Sequence, residues 1–303
     1  YYSSGQNLSP WGGQLLDGSY AGRTITTFFS PDFQHWAGGR ALSFHRAGYV
    51  TKPIGMGQEA HMGGGLWNRG NVILGLYGRW YGDQITGKRG RLDGLTIDIG
   101  FIISNDAIHY REPIQDFVFL ERGHDGQWDS VALLQANAFN NTDTETQIWY
   151  SHWDTGAPWP LPALPQKVHN PTPSAIGLAT LPRDRFGYVA KQYTELPARG
   201  TQEPLLPQSG ELLTKSIVLG NASQVFVNVT DVSAEARLTM DLVNDAEETL
   251  RGYSSEITAP GLKQPVHWSG GKIAPAGQPF RIRVRWPFGR ANPKLYVIYV
   301  EKR

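Results

Sequence analysis

With 303 residues, 40% of them hydrophobic and 18% charged, the chain has material for a packed core and length for two domains. Its 28 basic and 27 acidic residues nearly cancel and no basic run stands out, which excludes the electrostatic footprint of a nucleic-acid binder. The lack of cysteine excludes disulfides, thiolate metal sites and a cysteine nucleophile, and no apolar stretch approaches the roughly 20 residues of a membrane helix.

The 35 Gly, 20 Pro and 10 Trp suit short strands joined by tight turns, with aromatic faces left for ligands. Thr24 to Phe29, Val72 to Tyr77 and Leu95 to Ile103 are rich in β-branched and aromatic residues and are bounded by Gly, Asn and Asp, which predicts strands. No long segment keeps a helical apolar period. Ser30-Pro31-Asp32-Phe33-Gln34-His35-Trp36 returns as Ser104-Asn105-Asp106-Ala107-Ile108-His109-Tyr110, each time just after a strand-like run. A recurring turn with an aromatic end is the signature of a β-propeller blade, and the Asp is placed to bond backbone amides two residues on.

A third unit runs from Trp128 to about Tyr188, with strand-like runs Leu133 to Phe139, Glu145 to Trp153 and Ile176 onward, interrupted by a Pro-rich loop from Pro158 to Pro173. Residues 196–210 read as a linker, with Pro197, Gly200, Pro204 and Pro207. Beyond it come alternating runs at Lys215 to Leu219, Gln224 to Val229, Arg237 to Val243, Phe280 to Trp286 and Leu295 to Val300, the pattern of a β-sandwich. The expected architecture is all-β: a partial propeller over 1–195, a linker over 196–210 and a sandwich over 211–303.

Candidate chemistry concentrates in two places. Glu59 and His61 sit two apart at the start of an expected blade-opening strand, so both point to one side. A carboxyl group there, short of water, suits a general acid, although a hydrogen-bonded structural pair accounts for the same residues. Trp128-Asp129-Ser130 opens the next unit, with Gln135 expected on the same strand face as Asp129; a turn-capping Asp is the alternative. His152 and Trp153 follow on an outgoing strand, as further contacts or as interior residues, and Asp93 and Asp98 read as loop or edge residues. The candidate catalytic residues are thus Glu59 and Asp129, and the candidate sugar contacts are His61, Trp128, Gln135, His152 and Trp153. No His spacing suggests zinc, and neither a serine-hydrolase elbow nor a phosphate loop is present. In the sandwich, Trp268 and Trp286 serve either the core or a second glycan site.

These residues resemble the five-bladed propeller enzymes of glycoside hydrolase families 32 and 43, the invertase, fructanase and furanosidase group. Gln58-Glu59-Ala60-His61 stands where that group carries Glu-Cys-Pro, with the Glu matched and the Cys and Pro absent. Trp128-Asp129-Ser130 with Gln135 to Phe139 is similar to the opening of its next blade, and Thr180-Leu181-Pro182-Arg183-Asp184-Arg185-Phe186 to its exit into a C-terminal sandwich. The resemblance implies glycoside hydrolysis with Glu59 as general acid. The group's Asn-Asp-Pro-Asn-Gly start and Arg-Asp-Pro are missing, so its nucleophile or base would lie outside this sequence. Tyr1-Tyr2 then reads as an inner strand cut in half near the end of a second blade, so the expectation is either a fragment of a longer chain or a propeller completed by a second polypeptide as partner. A non-catalytic carbohydrate-binding protein is the alternative. The expected ligand is a carbohydrate, with no nucleic acid and no membrane, in a secreted or periplasmic setting. No cofactor is called for; a structural calcium ion is compatible with the residues but not indicated by them.

Overall fold

The computed structural model describes residues 1–8, 23–37, 40–46, 58–81, 96–124, 127–153, 175–191 and 209–302. At residues 6–8, 23, 40, 58–59, 62–64 and 81 it describes the backbone alone. Every regular element among them is a β-strand, and all pairings between strands are antiparallel. The chain divides into two compact units, Tyr1–Asn140 with Gln147–Ala179, and Asn141–Thr146 with Thr180–Arg303.

The first unit is made of meanders. Strands β1 (Tyr2–Leu8), β2 (Arg23–Phe29) and β3 (Arg40–Phe44) form one sheet in that order. Strands β4 (Gln58–Asn68), β5 (Ile73–Tyr81), β6 (Thr96–Ser104) and β7 (Val118–Leu120) form a second, and β8 (Leu133–Asn141), β9 (Glu145–His152) and β10 (Ile176–Pro182) a third. Among the described residues these sheets do not close into a ring.

The sequence repeat is one turn built twice. Ser30 Oγ accepts from Phe33 N (2.8 Å), Asp32 Oδ1 from Gln34 N (2.8 Å) and His35 N (2.7 Å), and Asp32 Oδ2 meets His35 Nδ1 at 2.6 Å. Ser104 Oγ accepts from Ala107 N (3.0 Å), Asp106 Oδ1 from Ile108 N (2.9 Å) and His109 N (2.7 Å), and Asp106 Oδ2 meets His109 Nδ1 at 2.7 Å. Phe33 and Ala107 take the same left-handed conformation, with φ of 68° and 64°. The amide bonds, together with the His35 side chain, hold the Asp32 carboxyl down at about 2, and the same contacts lower Asp106. The first copy joins β2 to β3 and the second joins β6 to β7, so β1, β2 and β3 correspond to β5, β6 and β7.

Alternation along the strands buries both faces of the second sheet. Tyr77 and Ile102 share a core with Ala60, Tyr110 and, from the first sheet, Ile25 and Phe44. Trp80 and Ile97, on the opposite faces of β5 and β6, pack on Val131 and Ala132, with Leu134 and Trp153 beside them. Tyr77 fits because Gly100 lies opposite it; a Cβ there would come within 2.3 Å of the ring. Gly177 does the same for Tyr150, at 2.2 Å.

In the second unit β11 (Glu211–Leu213), β17 (Pro279–Arg285), β14 (Leu238–Val243) and β15 (Thr249–Ile257) form one sheet, with β12 (Ile217–Val218) also paired to β17. A second sheet runs β16 (Gly261–Pro265), β13 (Ser223–Thr230) and β18 (Lys294–Lys302). Val225, Val227 and Val229 alternate inward from β13 and meet Met240, Leu242, Phe280, Ile282 and Val284 from the other sheet in one core. Trp268 and Trp286 belong to that core rather than to an exposed face, and Trp286 Nε1 is satisfied by the Pro293 carbonyl at 2.7 Å.

Candidate functional site

The nominated residues of the first unit fall on β4, on β8 with the turn before it, and at the end of β9. Glu59 stands in β4 opposite Trp80, and its side chain lies outside the described residues. His61 is opposite Gly78, whose missing Cβ leaves room for the His61 Cβ. The imidazole lies between two indoles, with ring centroids 5.1 Å from Trp80 and 5.8 Å from Trp153, inclined by 28° and 24°. It is 6% exposed, and its Nδ1 has no hydrogen-bond partner among the described residues. Burial in this apolar slot pushes its pKa down to about 4, so His61 is neutral at neutral pH. The Gln135 side-chain amide donates to the His61 carbonyl at 3.2 Å, joining β8 to β4.

Asp129 belongs not to a strand but to the turn before β8, where Ser130 N donates to Gln127 O and Gly123 N donates to Asp129 O. The same-face argument linking it to Gln135 therefore does not apply. Tyr150 Oη donates to Asp129 Oδ2 at 3.1 Å, and burial followed by the Asp129 charge pushes the phenol up to about 12. Trp128 stacks on Tyr150 (5.9 Å, 18°) and meets His152 edge-on (5.9 Å, 80°). His152 is buried, and its backbone N–H donates to the Ala175 carbonyl. Trp153 N donates to Ala132 O, which holds the end of β9 against the start of β8.

The six nominated residues with described side chains thus form two groups, His61 with Gln135 and Trp153, and Trp128 with Asp129 and His152, joined through the His152–Trp153 peptide bond. Trp80 and Tyr150 complete the groups and escaped sequence reading. The signal for Tyr150 was the pairing of a strand Tyr with a Gly on the next strand, which Tyr77 and Gly100 make as well.

Asp98, expected at a loop or edge, is instead buried in β6, where both its oxygens accept from Arg122 Nη1 (2.9 and 3.0 Å); Asp93 lies outside the described residues. Nearby, Arg46 and Arg79, both buried, reach Asp116 Oδ1 at 2.8 and 3.3 Å, and Tyr77 Oη donates to Glu112 Oε1. The charges in this second cluster pair with one another, so it serves the packing of β5 and β6. Among the described residues no three His, Asp or Glu gather to hold a metal ion.

No protein-family model and no curated protein matches the chain. Among solved structures it is similar, at 11% identity and a TM-score of 0.31, to a family 43 arabinoxylan arabinofuranohydrolase from Bacillus subtilis in complex with cellotetraose, covering 100% of this chain and 64% of that one. It is also similar to a family 32 β-fructofuranosidase from Bombyx mori, at 10% identity and a TM-score of 0.29, covering 93% of this chain and 61% of that one. A variant of that enzyme in complex with sucrose gives 10% identity and a TM-score of 0.28, with 92% and 60% covered. The chain spans less than two thirds of the length of each of these structures.

Proposed function

We propose that this chain is the later part of a propeller-type glycoside hydrolase, with blade sheets over 1–195, a linker over 196–210 and a β-sandwich over 211–303. A turn design common to the first two meanders and a Tyr-over-Gly pair common to the second and third support the blade reading, and a single core fed by two antiparallel sheets supports the sandwich. Glu59 is the proton donor to a leaving glycosidic oxygen, Asp129 orients the sugar and Trp128 stacks on it. The nucleophile or base comes from residues outside this sequence.

One observation carries this reading: Gln135 and Trp153 both close on His61, two residues from Glu59 on the same strand. Burial in that slot keeps the imidazole neutral. The test is Glu59→Gln in the completed assembly, assayed on a panel of furanosides and pyranosides. Hydrolysis should fall by about a thousandfold or more while glycan affinity changes less than threefold. Retained hydrolysis would remove Glu59 from the mechanism.

A second reading, a non-catalytic carbohydrate-binding protein, is favoured by one feature. Asp129 is the sole carboxylate among the nominated residues with described side chains, and Tyr150 already engages it. Paired-carboxylate hydrolysis needs two. Glycan binding with no turnover in the completed assembly would select this reading.

A further inference from the structure

We propose that the second unit carries a glycan site of its own, built on Tyr188, Tyr296 and Arg185, that binds the carboxylate-bearing residues of an acidic oligosaccharide. Its residues all belong to the second unit, whereas His61 and Asp129 belong to the first. It rests on the carbohydrate reading only for the class of ligand.

Trp268 and Trp286 are spent in the sandwich core, but Tyr188 is not: it is 57% exposed. An open tyrosine ring offers an apolar face with a polar rim, which suits a sugar ring of C–H and O–H groups. Its place is fixed from several sides. Val189 exchanges backbone bonds with Leu295 in both directions, at 2.8 and 3.0 Å, which ties the segment to β18. The Tyr188 ring meets Tyr296 edge-on, with centroids 5.6 Å apart and planes inclined by 63°. Lys294, two residues before Tyr296 on β18, holds its ammonium 5.4 Å from the Tyr188 centroid. A ring held in this way loses little freedom when a ligand arrives. Next to it is Gly187, where an added Cβ would meet nothing within 4 Å, so the space beside the platform is open.

Charge names the ligand. Arg185 lies over Tyr296, its Cζ 4.7 Å from the ring centroid, and its Nε donates to Asn228 Oδ1 at 3.0 Å. Asn228 is fully buried and donates in turn to the Arg183 carbonyl at 2.7 Å, so the guanidinium is anchored at one corner. Its two Nη groups donate to no described residue. Lys294, by contrast, is paired with Asp231 at 3.1 Å. The unspent donors are thus the outer N–H groups of one planar fork, and a carboxylate matches such a fork two bonds at a time. A hexuronate carries that carboxylate on the same kind of ring that the tyrosine platform accepts.

The test is titration calorimetry of the full chain with an oligoglucuronate, made by oxidising the primary alcohols of an oligoglucose, beside the uncharged parent. The oligoglucuronate should bind, and Tyr188→Ala and Arg185→Lys should each weaken it by about tenfold. Arg185→Lys keeps the charge and loses the fork, so an unchanged affinity there would reduce the site to a charge effect and overturn it. Tyr188 is exposed, so Tyr188→Ala should keep the parent midpoint in urea and report binding alone. An oligoglucuronate that does not bind, or that binds Tyr188→Ala as it binds the parent chain, would also overturn the site. So would equal affinity for an oligoglutamate peptide, which would make this strip a protein contact. Binding of the uncharged oligoglucose should be indifferent to both substitutions; if it persisted while the acidic ligand failed, the second site would fall and the carbohydrate reading would stand.

Discussion

His61 shows what a residue's surroundings do to its chemistry. An imidazole with an ordinary pKa near 6.5 is held at about 4 because the slot between Trp80 and Trp153 offers no water to the charged form. The unfolded chain takes up a proton as pH falls through about 6.5, while the folded chain resists until about 4. Stability is therefore lost across that window on acidification, by about 2 to 3 kcal/mol at pH 4.5 relative to pH 7. His61→Phe keeps the aromatic stack and removes the proton. Urea titrations of both proteins at the two pH values should show a smaller loss in the variant, and equal losses would mean that the imidazole is hydrated. Tyr150 offers a second test at this scale. Tyr150→Phe deletes the bond to Asp129 and should cost about 1 kcal/mol in urea melts, with a several-fold loss of glycan affinity if Asp129 orients sugar.

At the scale of elements, two glycines separate close packing from mere tolerance. Gly100 and Gly177 lie under the rings of Tyr77 and Tyr150, and a Cβ at either would sit closer to ring carbons than real Cβ atoms approach. Tyr77 is fully buried and tied to Glu112, so Gly100→Ala should destabilise by about 2 to 3 kcal/mol in chemical denaturation. Gly220, with nothing within 4 Å of its Cβ position, is the control, and Gly220→Ala should stay within about 0.5 kcal/mol of the parent. The strands themselves were legible wherever alternation was strong, as in Thr24 to Phe29 and Phe280 to Trp286, which became β2 and β17 to within a residue or so. Thr249 to Ile257 was not, because Arg251, Gly252, Ser254 and Ser255 interrupt its apolar pattern and its strand character comes from pairing with β14. The turn of the repeat was readable because its Asp and Ser do their bonding locally. Asp129 was misplaced into a strand because nothing local distinguishes a turn-closing Asp from one that begins a strand.

At the scale of the molecule, each unit holds its chain together by a different means. The first distributes burial over small cores between successive sheets, whereas the second concentrates it between two sheets and adds a polar clamp. Asp184, in a left-handed conformation at φ 59°, accepts from Asn141 Nδ2 (2.7 Å) and from Tyr299 Oη (2.8 Å), while its own N–H donates to Thr146 Oγ1 (2.8 Å). Asn228 adds to the clamp, donating to the Arg183 carbonyl at 2.7 Å and accepting from Arg185 Nε at 3.0 Å. Four stretches far apart in sequence meet there, and burial with the Asp184 bond pushes Tyr299 up to about 12. No sequence pattern announces such a site, because its members share neither spacing nor period. Asp184→Ala would leave the Asn141 amide and the Tyr299 hydroxyl without their acceptor, and losing a buried acceptor costs more than the bond itself. The expected loss is about 2 to 4 kcal/mol, read in urea melts, with exchange rising at the 141–146 turn and at Tyr299 before the apolar core of Val227, Met240 and Phe280 opens. Phe280→Ala should instead cost about 3 to 5 kcal/mol and raise exchange throughout that core. If the two variants gave the same exchange map, the clamp and the core would be one cooperative structure, and Asp184 would be no more than another core residue.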